Sequence, residues 1–126
     1  MKFIQTTKAP QAIGPYAQAV FVNDTLYVSG QLPINPLDDA IPSDIQAQTE
    51  QALQNLFAVV EAAGLKPTDI VKCGVFLKDL NDFKPMNDVY ARLFGSHTPA
   101  RAAVEVARLP KDVMIEIDAI AVKQGS

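Results

Sequence analysis

Apolar residues along the chain recur with two different periods, and the switches between them mark the elements. Residues 17–22 and 25–29 are apolar-rich stretches split by Asn23-Asp24. Asn and Asp tolerate positive φ, so the pair predicts a two-residue hairpin turn. A further short strand fits residues 2–6. Pro33, Pro36 and Pro42 predict a loop across residues 33–42. From Ser43 the period changes. Ile45, Ala52, Leu53, Leu56, Phe57, Val60 and Ala63 recur at spacings of three, four or seven, the mark of an amphipathic helix. Ser43 with Gln46 suits a capping box, and Gly64 stands where a left-handed residue ends a helix.

Residues 70–78 return to the strand period, with Val71, Cys73, Val75 and Leu77 on one face and Ile70, Lys72, Gly74 and Phe76 on the other. A second helix is predicted from about Asn81 to Phe94. Asn81 or Asp82 caps it, Pro85 is tolerated in its first turn, Phe83, Met86, Tyr90 and Leu93 form its stripe, and Gly95 ends it. Two strands close the chain, at about 101–107 and 113–122, read as a hairpin through Leu109-Pro110-Lys111-Asp112. The order ββ-α-β-α-ββ predicts an α+β fold, with both helices on one face of a mixed sheet. No repeat or linker divides it, so residues 1–126 read as one domain.

The other face of that sheet is unusual. Val113, Ile115, Ile117, Ala119 and Ala121 alternate with Met114, Glu116, Asp118, Ile120 and Val122, so the second face sets two acids among apolar residues. Such a patch is uncommon on the surface of a monomer, and it predicts self-association through the sheet.

Composition narrows the functions. The formal charge is −3, which gives no general pull toward nucleic acid or an anionic membrane. No apolar run approaches the roughly 18 residues of a membrane span, and the start, Met1-Lys2-Phe3-Ile4-Gln5-Thr6-Thr7, does not read as a signal peptide. With one cysteine, Cys73, the chain suits a reducing cytoplasm. One histidine, His97, allows no two-histidine acid–base pair within a chain, and metal-ligand spacing is absent.

Five residues are candidates for chemistry on chemical grounds. Arg101, at the start of an apolar strand, is either paired with Glu105 or Glu116 or is a fork for a substrate carboxylate. Glu116, set between Ile115 and Ile117, is either a solvated strand acid or a half-buried proton-transfer group of raised pKa. Tyr16 follows the rigid Gly14-Pro15 turn and is either core or cleft. Ser29 and Gly30 end a strand, either as a plain turn or as backbone that approaches an oxyanion.

Together these tracts resemble the YjgF family and, within it, the reactive intermediate deaminases of the RidA subgroup. The resemblance rests on Ile13-Gly14-Pro15-Tyr16-Ala17-Gln18-Ala19, Tyr27-Val28-Ser29-Gly30-Gln31, Pro99-Ala100-Arg101, Val104-Glu105-Val106-Ala107-Arg108-Leu109-Pro110-Lys111 and Ile115-Glu116-Ile117-Asp118-Ala119-Ile120-Ala121. It implies a chorismate-mutase-like fold and a homotrimer with a central β-barrel and clefts between subunits. The implied activity is hydrolysis of enamines and imines such as 2-aminoacrylate to 2-keto acids and ammonia, with no metal or cofactor. Arg101 then matches the carboxylate anchor and Glu116 the acid that positions water. Tyr16, Ser29 and Gly30 match cleft residues, and Asn87 matches a polar group at the cleft edge. Three features depart from the pattern: Ala103 replaces a common cysteine, residues 95–98 form a shorter loop, and Asp118 replaces a glutamate. A carboxylate-binding or regulatory protein without catalysis, and an endoribonuclease or translation inhibitor, are the competing readings.

Overall fold

A computed structural model describes residues 1–125. It contains one mixed sheet of six strands, β1 (Lys2–Ile4), β2 (Ala19–Val22), β3 (Thr25–Gln31), β4 (Ile70–Leu77), β5 (Ala100–Glu105) and β6 (Ile115–Val122). They lie in the order β1-β2-β3-β6-β4-β5. Helices α1 (Ile45–Ala62) and α2 (Phe83–Phe94) cover one face, as the period analysis predicts. Among the described residues no helix is long and apolar enough to cross a membrane.

The first hairpin forms as expected. Asn23 and Asp24 have φ of 50° and 61°, the left-handed pair that matches the twist of the flanking strands. Helix α1 is capped one residue later than Ser43. The Asp44 carboxylate accepts from the Ala47 amide at 2.7 Å, so the cap is an ionised acceptor at the positive end of the helix and Ser43 stays outside. At the other end Gly64, at φ 84°, closes a Schellman turn with Leu65 N–H on Val60 C=O and Gly64 N–H on Glu61 C=O. Leu53, Leu56, Val59 and Val60 are fully buried under it, each contributing about 1.5–3 kcal/mol of apolar burial.

Three expectations change. The last two strands do not form a hairpin: β6 lies between β3 and β4 and pairs antiparallel with both, and β5 runs parallel to β4 at the edge. Parallel neighbours need a crossover, and α2 supplies it. In β4 the pairing with β6 shifts register between Ile70 and Lys72, so Ile70 turns into the core and Val71 turns out. Helix α2 begins at Phe83 because residues Leu80–Asp82 form a 3₁₀ turn, which Asp79 caps by accepting from the Asn81 amide. Val89 and Phe94 join its buried stripe, while Phe83 lies at the margin. The other strand ends shift by one or two residues, most of them inward, while β3 runs on to Gln31 and β5 starts at Ala100.

The uncovered face carries what the pattern predicts. Glu116, Asp118 and Ile120 project from β6 beside Tyr27 of β3 and Gly74 and Phe76 of β4. Tyr27 is 50% exposed and Val104 45% exposed, which leaves an apolar surface with two acids set into it.

Candidate functional site

Four of the predicted residues, Tyr16, Ser29, Gly30 and Glu116, line one cleft of about 630 Å³. Its walls are the loop before β2, the end of β3 and the residues after it, the 3₁₀ turn at Pro110–Asp112 and the start of strand β6. Glu116 is half-buried, with its carboxylate directly over Gly30. A Cβ at Gly30 would run into that carboxylate, so glycine here makes room for an acid rather than for a turn. Burial, with the nearby Asp118 carboxylate as a second cause, raises the Glu116 pKa above its usual value. Among the described residues no Lys or Arg forms a salt bridge with it.

Asp118 stands on β6, an interior strand of the sheet. It sits over Gly74 as Glu116 sits over Gly30. Burial raises its pKa as well, and the Gly74 amide and Lys72 partly offset this.

Tyr16 is 53% exposed and lines the cleft, so the core alternative does not hold. The turn that delivers it has Gly14 at φ 110° and closes with Tyr16 N–H on Gly14 C=O at 2.9 Å. Ser29 donates its hydroxyl to Ala17 C=O at 2.6 Å and its amide to Gln18 C=O at 2.9 Å. Its N–H is therefore not free to hold an oxyanion. Its hydroxyl oxygen can still accept a hydrogen bond from a ligand.

Arg101 is placed elsewhere. It lies on the helix side of edge strand β5, opposite Cys73 of β4, whereas Glu116 lies on the open face. Pairing with Glu105 or Glu116 does not occur: the Glu105 carboxylate accepts from the Leu80 amide at 2.8 Å, and Arg101 donates Nη1 to Asn87 Oδ1 at 2.7 Å. Its guanidinium stacks over the rings of Tyr90 at 4.7 Å and Phe83 at 5.4 Å. The chain thus brings Tyr16, Ser29, Gly30 and Glu116 together, brings Arg101 and Asn87 together, and holds the two groups on opposite faces of the sheet.

Several residues that shape the cleft were not singled out from the sequence. Gln18, fully inside, accepts from the Thr6 amide at 2.7 Å and donates to Thr6 and Pro10 carbonyls at 3.1 and 2.8 Å, which pins the cleft wall. Asn55 of α1 donates to Leu32 and Ile34 carbonyls, each at 2.9 Å, and Gln48 joins Pro42 C=O to the Met114 amide. The signal was present, since Gln48 and Asn55 occupy apolar-face positions four before Ala52 and three after it. Polar residues on a buried stripe must find partners, and here the partners are loops. Lys111 also lines the cleft, from a left-handed backbone position at φ 57°.

The family described as Endoribonuclease L-PSP matches residues 6–123. Over 126 residues the chain is 55% identical to the 2-iminobutanoate/2-iminopropanoate deaminase of Escherichia coli, covering 98% of each chain. The solved YjgF gene product of E. coli superposes with a TM-score of 0.96 at 54% identity, over 98% of this chain and 100% of that one. E. coli TdcF, solved with bound serine, superposes equally well at 49% identity, again over 98% and 100%.

Proposed function

The chain belongs to the Endoribonuclease L-PSP (YjgF) family, and from that premise we propose that it hydrolyses 2-imino acids and their enamines to 2-keto acids and ammonia. The observation that carries this reading is a pair of unneutralised charges: a half-buried guanidinium at Arg101 with no acidic partner, and a desolvated carboxylate at Glu116 with no basic one, among the described residues. Each is suited to one part of the same small substrate.

The two groups meet if copies of the chain assemble with the open sheet faces inward, so that the β5 edge of one copy closes the cleft of its neighbour. We infer a homotrimer, the assembly that the family resemblance implies, with the open faces around one axis and three clefts completed between neighbours. Arg101 then grips the substrate carboxylate through the donors that Asn87 leaves free. A charge-assisted anchor of this kind contributes about 1.5–3 kcal/mol. Glu116 takes a proton from water as its oxygen attacks C2 of the imine. It returns that proton to nitrogen to give the carbinolamine. It then carries the carbinolamine hydroxyl proton to the same nitrogen as the C–N bond breaks, so that ammonia leaves and the carbonyl forms. A carboxyl whose pKa lies above its ordinary value suits both halves of that exchange, and positioned acid–base groups supply roughly 10²–10⁴ in rate. Tyr16 and Ser29 contact the reacting end, and Gly30 keeps the space for Glu116. No metal or cofactor enters this scheme.

The nuclease reading finds little support in the geometry. His97, the one histidine, commits Nε2 to the Ile70 carbonyl at 2.6 Å, packed beside Phe94. The free, buried thiol of Cys73 suits work in the cytoplasm.

A coupled assay tests the proposal. A threonine dehydratase generates the imine, and keto-acid release is followed with wild-type protein, with Arg101→Ala and with none. Acceleration by wild type alone is the expected result. Equal rates in all three would leave a carboxylate-binding protein without turnover.

A further inference from the structure

Helix α2 presents Phe83, Asn87 and Tyr90 at spacings of four and three, which places them on one face of the helix. The parallel register of β4 and β5 sets Arg101 opposite Cys73 beneath that face. All three α2 residues touch the same guanidinium: Asn87 through Oδ1 at 2.7 Å, Tyr90 through its ring at 4.7 Å, and Phe83 through its ring at 5.4 Å. Tyr90 is only 7% exposed, and its hydroxyl is buried against the Cys73 thiol, with no oxygen or nitrogen partner. A thiol is a weak hydrogen-bond partner, so the ring contributes more than the hydroxyl to holding this phenol in place.

From this geometry we propose that Tyr90 and Phe83 are positioning residues, an aromatic clamp that fixes the plane of the Arg101 guanidinium so that its unused edge is presented to a planar carboxylate. The proposal rests on the reading of Arg101 as the substrate anchor, and it adds the part of the molecule that aims the anchor. An arginine on an edge strand loses much of its rotamer freedom only if something holds it. Aromatic faces do this without neutralising the charge, as an aspartate would. Asn87 occupies one nitrogen as a neutral acceptor, and so the full positive charge and the remaining fork stay available. The ligand class that follows is a compact 2-oxo or 2-imino carboxylate whose carboxyl group lies in the plane the rings dictate.

Two measurements test the clamp. The first needs no ligand: nitrogen-detected NMR of the Arg101 side chain in wild type, Tyr90→Phe, Tyr90→Leu and Phe83→Leu. Distinct, slowly exchanging Nη signals are expected in wild type and Tyr90→Phe. They are expected to average in Tyr90→Leu, with a smaller effect in Phe83→Leu. The second is calorimetric binding of 2-oxobutanoate to the same proteins. Tyr90→Leu is expected to weaken binding about fivefold, roughly 1 kcal/mol. Tyr90→Phe is expected to bind as wild type does. In turnover the loss should appear in KM, with kcat little changed because Glu116 is untouched. Averaged Arg101 signals in wild type would overturn the clamp, and so would a Tyr90→Phe variant as impaired as Tyr90→Leu. If the signals behave as expected but wild type shows no turnover, the deaminase reading fails and the clamp stands. Phe83, at the helix margin, keeps the test valid should Tyr90→Leu fold poorly.

Discussion

The two halves of the candidate site are built in opposite ways. The Arg101 half stands on regular elements: an edge strand, one face of α2, and side chains at helical spacing. Its charged group touches a neutral acceptor and two rings, and it is finished within one chain. The Glu116 half is a cleft between loops, held by buried amides at Gln18 and Asn55, and its carboxylate has neither a cation nor full solvent. One half is made for rigidity and the other for reactivity. A desolvated acid without a partner is costly to keep, and such sites are where function concentrates. On the proposed reading neither half is a site by itself, because the sheet stands between them.

That comparison can be sharpened by breaking each half separately. The largest effect is expected from Glu116→Gln, which removes the proton-transfer group. Turnover should fall about 10²–10⁴-fold while 2-oxobutanoate binding is retained. Arg101→Ala should lose turnover too, but through binding, which should weaken about 10–10²-fold for the loss of a charge-assisted anchor, with Glu116 in place. Gly30→Ala pushes the Glu116 carboxylate aside, and misplacement of this kind should cost about 10–10²-fold in kcat with the fold intact. Gln18→Leu leaves the Thr6 and Pro10 groups it serves without partners. Denaturant melts should register a loss of about 1–3 kcal/mol, since those partners lie at the cleft wall.

The smallest expected effects concern pH. Burial raises the Glu116 pKa above 4.5, and Asp118 adds to the shift. The acid limb of kcat/KM should therefore lie above the ordinary glutamate value, and Asp118→Asn should move it downward by removing a neighbouring negative charge. Stability gives a second reading with its own sign. A carboxyl whose folded pKa is raised binds its proton more tightly in the native state, so it costs stability when ionised. Glu116→Gln should thus melt slightly higher than wild type at neutral pH. The gain should fade as pH falls through the folded pKa toward 4.5, where the unfolded chain is also protonated.

Much of this was legible in the residues, and where it was not the cause is physical. Period alone located both helices, because Leu53, Leu56 and Val60 must share a buried face and Met86 and Tyr90 must share another. The Asn23-Asp24 turn followed from backbone sterics at single residues. Strand order did not follow: an insertion of β6 between β3 and β4 depends on which edges meet, and alternation within β6 is the same in either arrangement. The swap of Ile70 for Val71 came from a register shift, which a two-residue period cannot signal. For the candidate site, Arg101 and Glu116 were recognisable as candidates, but their placement on opposite faces was not. Alternation assigns faces within one strand, and the two residues stand on different strands.

The central claim is that the two halves complete each other between copies, and one mixing experiment addresses it. Arg101→Ala and Glu116→Gln proteins, each inactive alone, are unfolded together in equal amounts, refolded and assayed with the dehydratase couple. If each cleft takes Arg101 from one copy and Glu116 from the next, random assembly leaves about a quarter of the clefts with both wild-type groups, and about that share of wild-type turnover should return. A mixture as inactive as its parts would contradict the account, because both groups would then have to act from within a single chain.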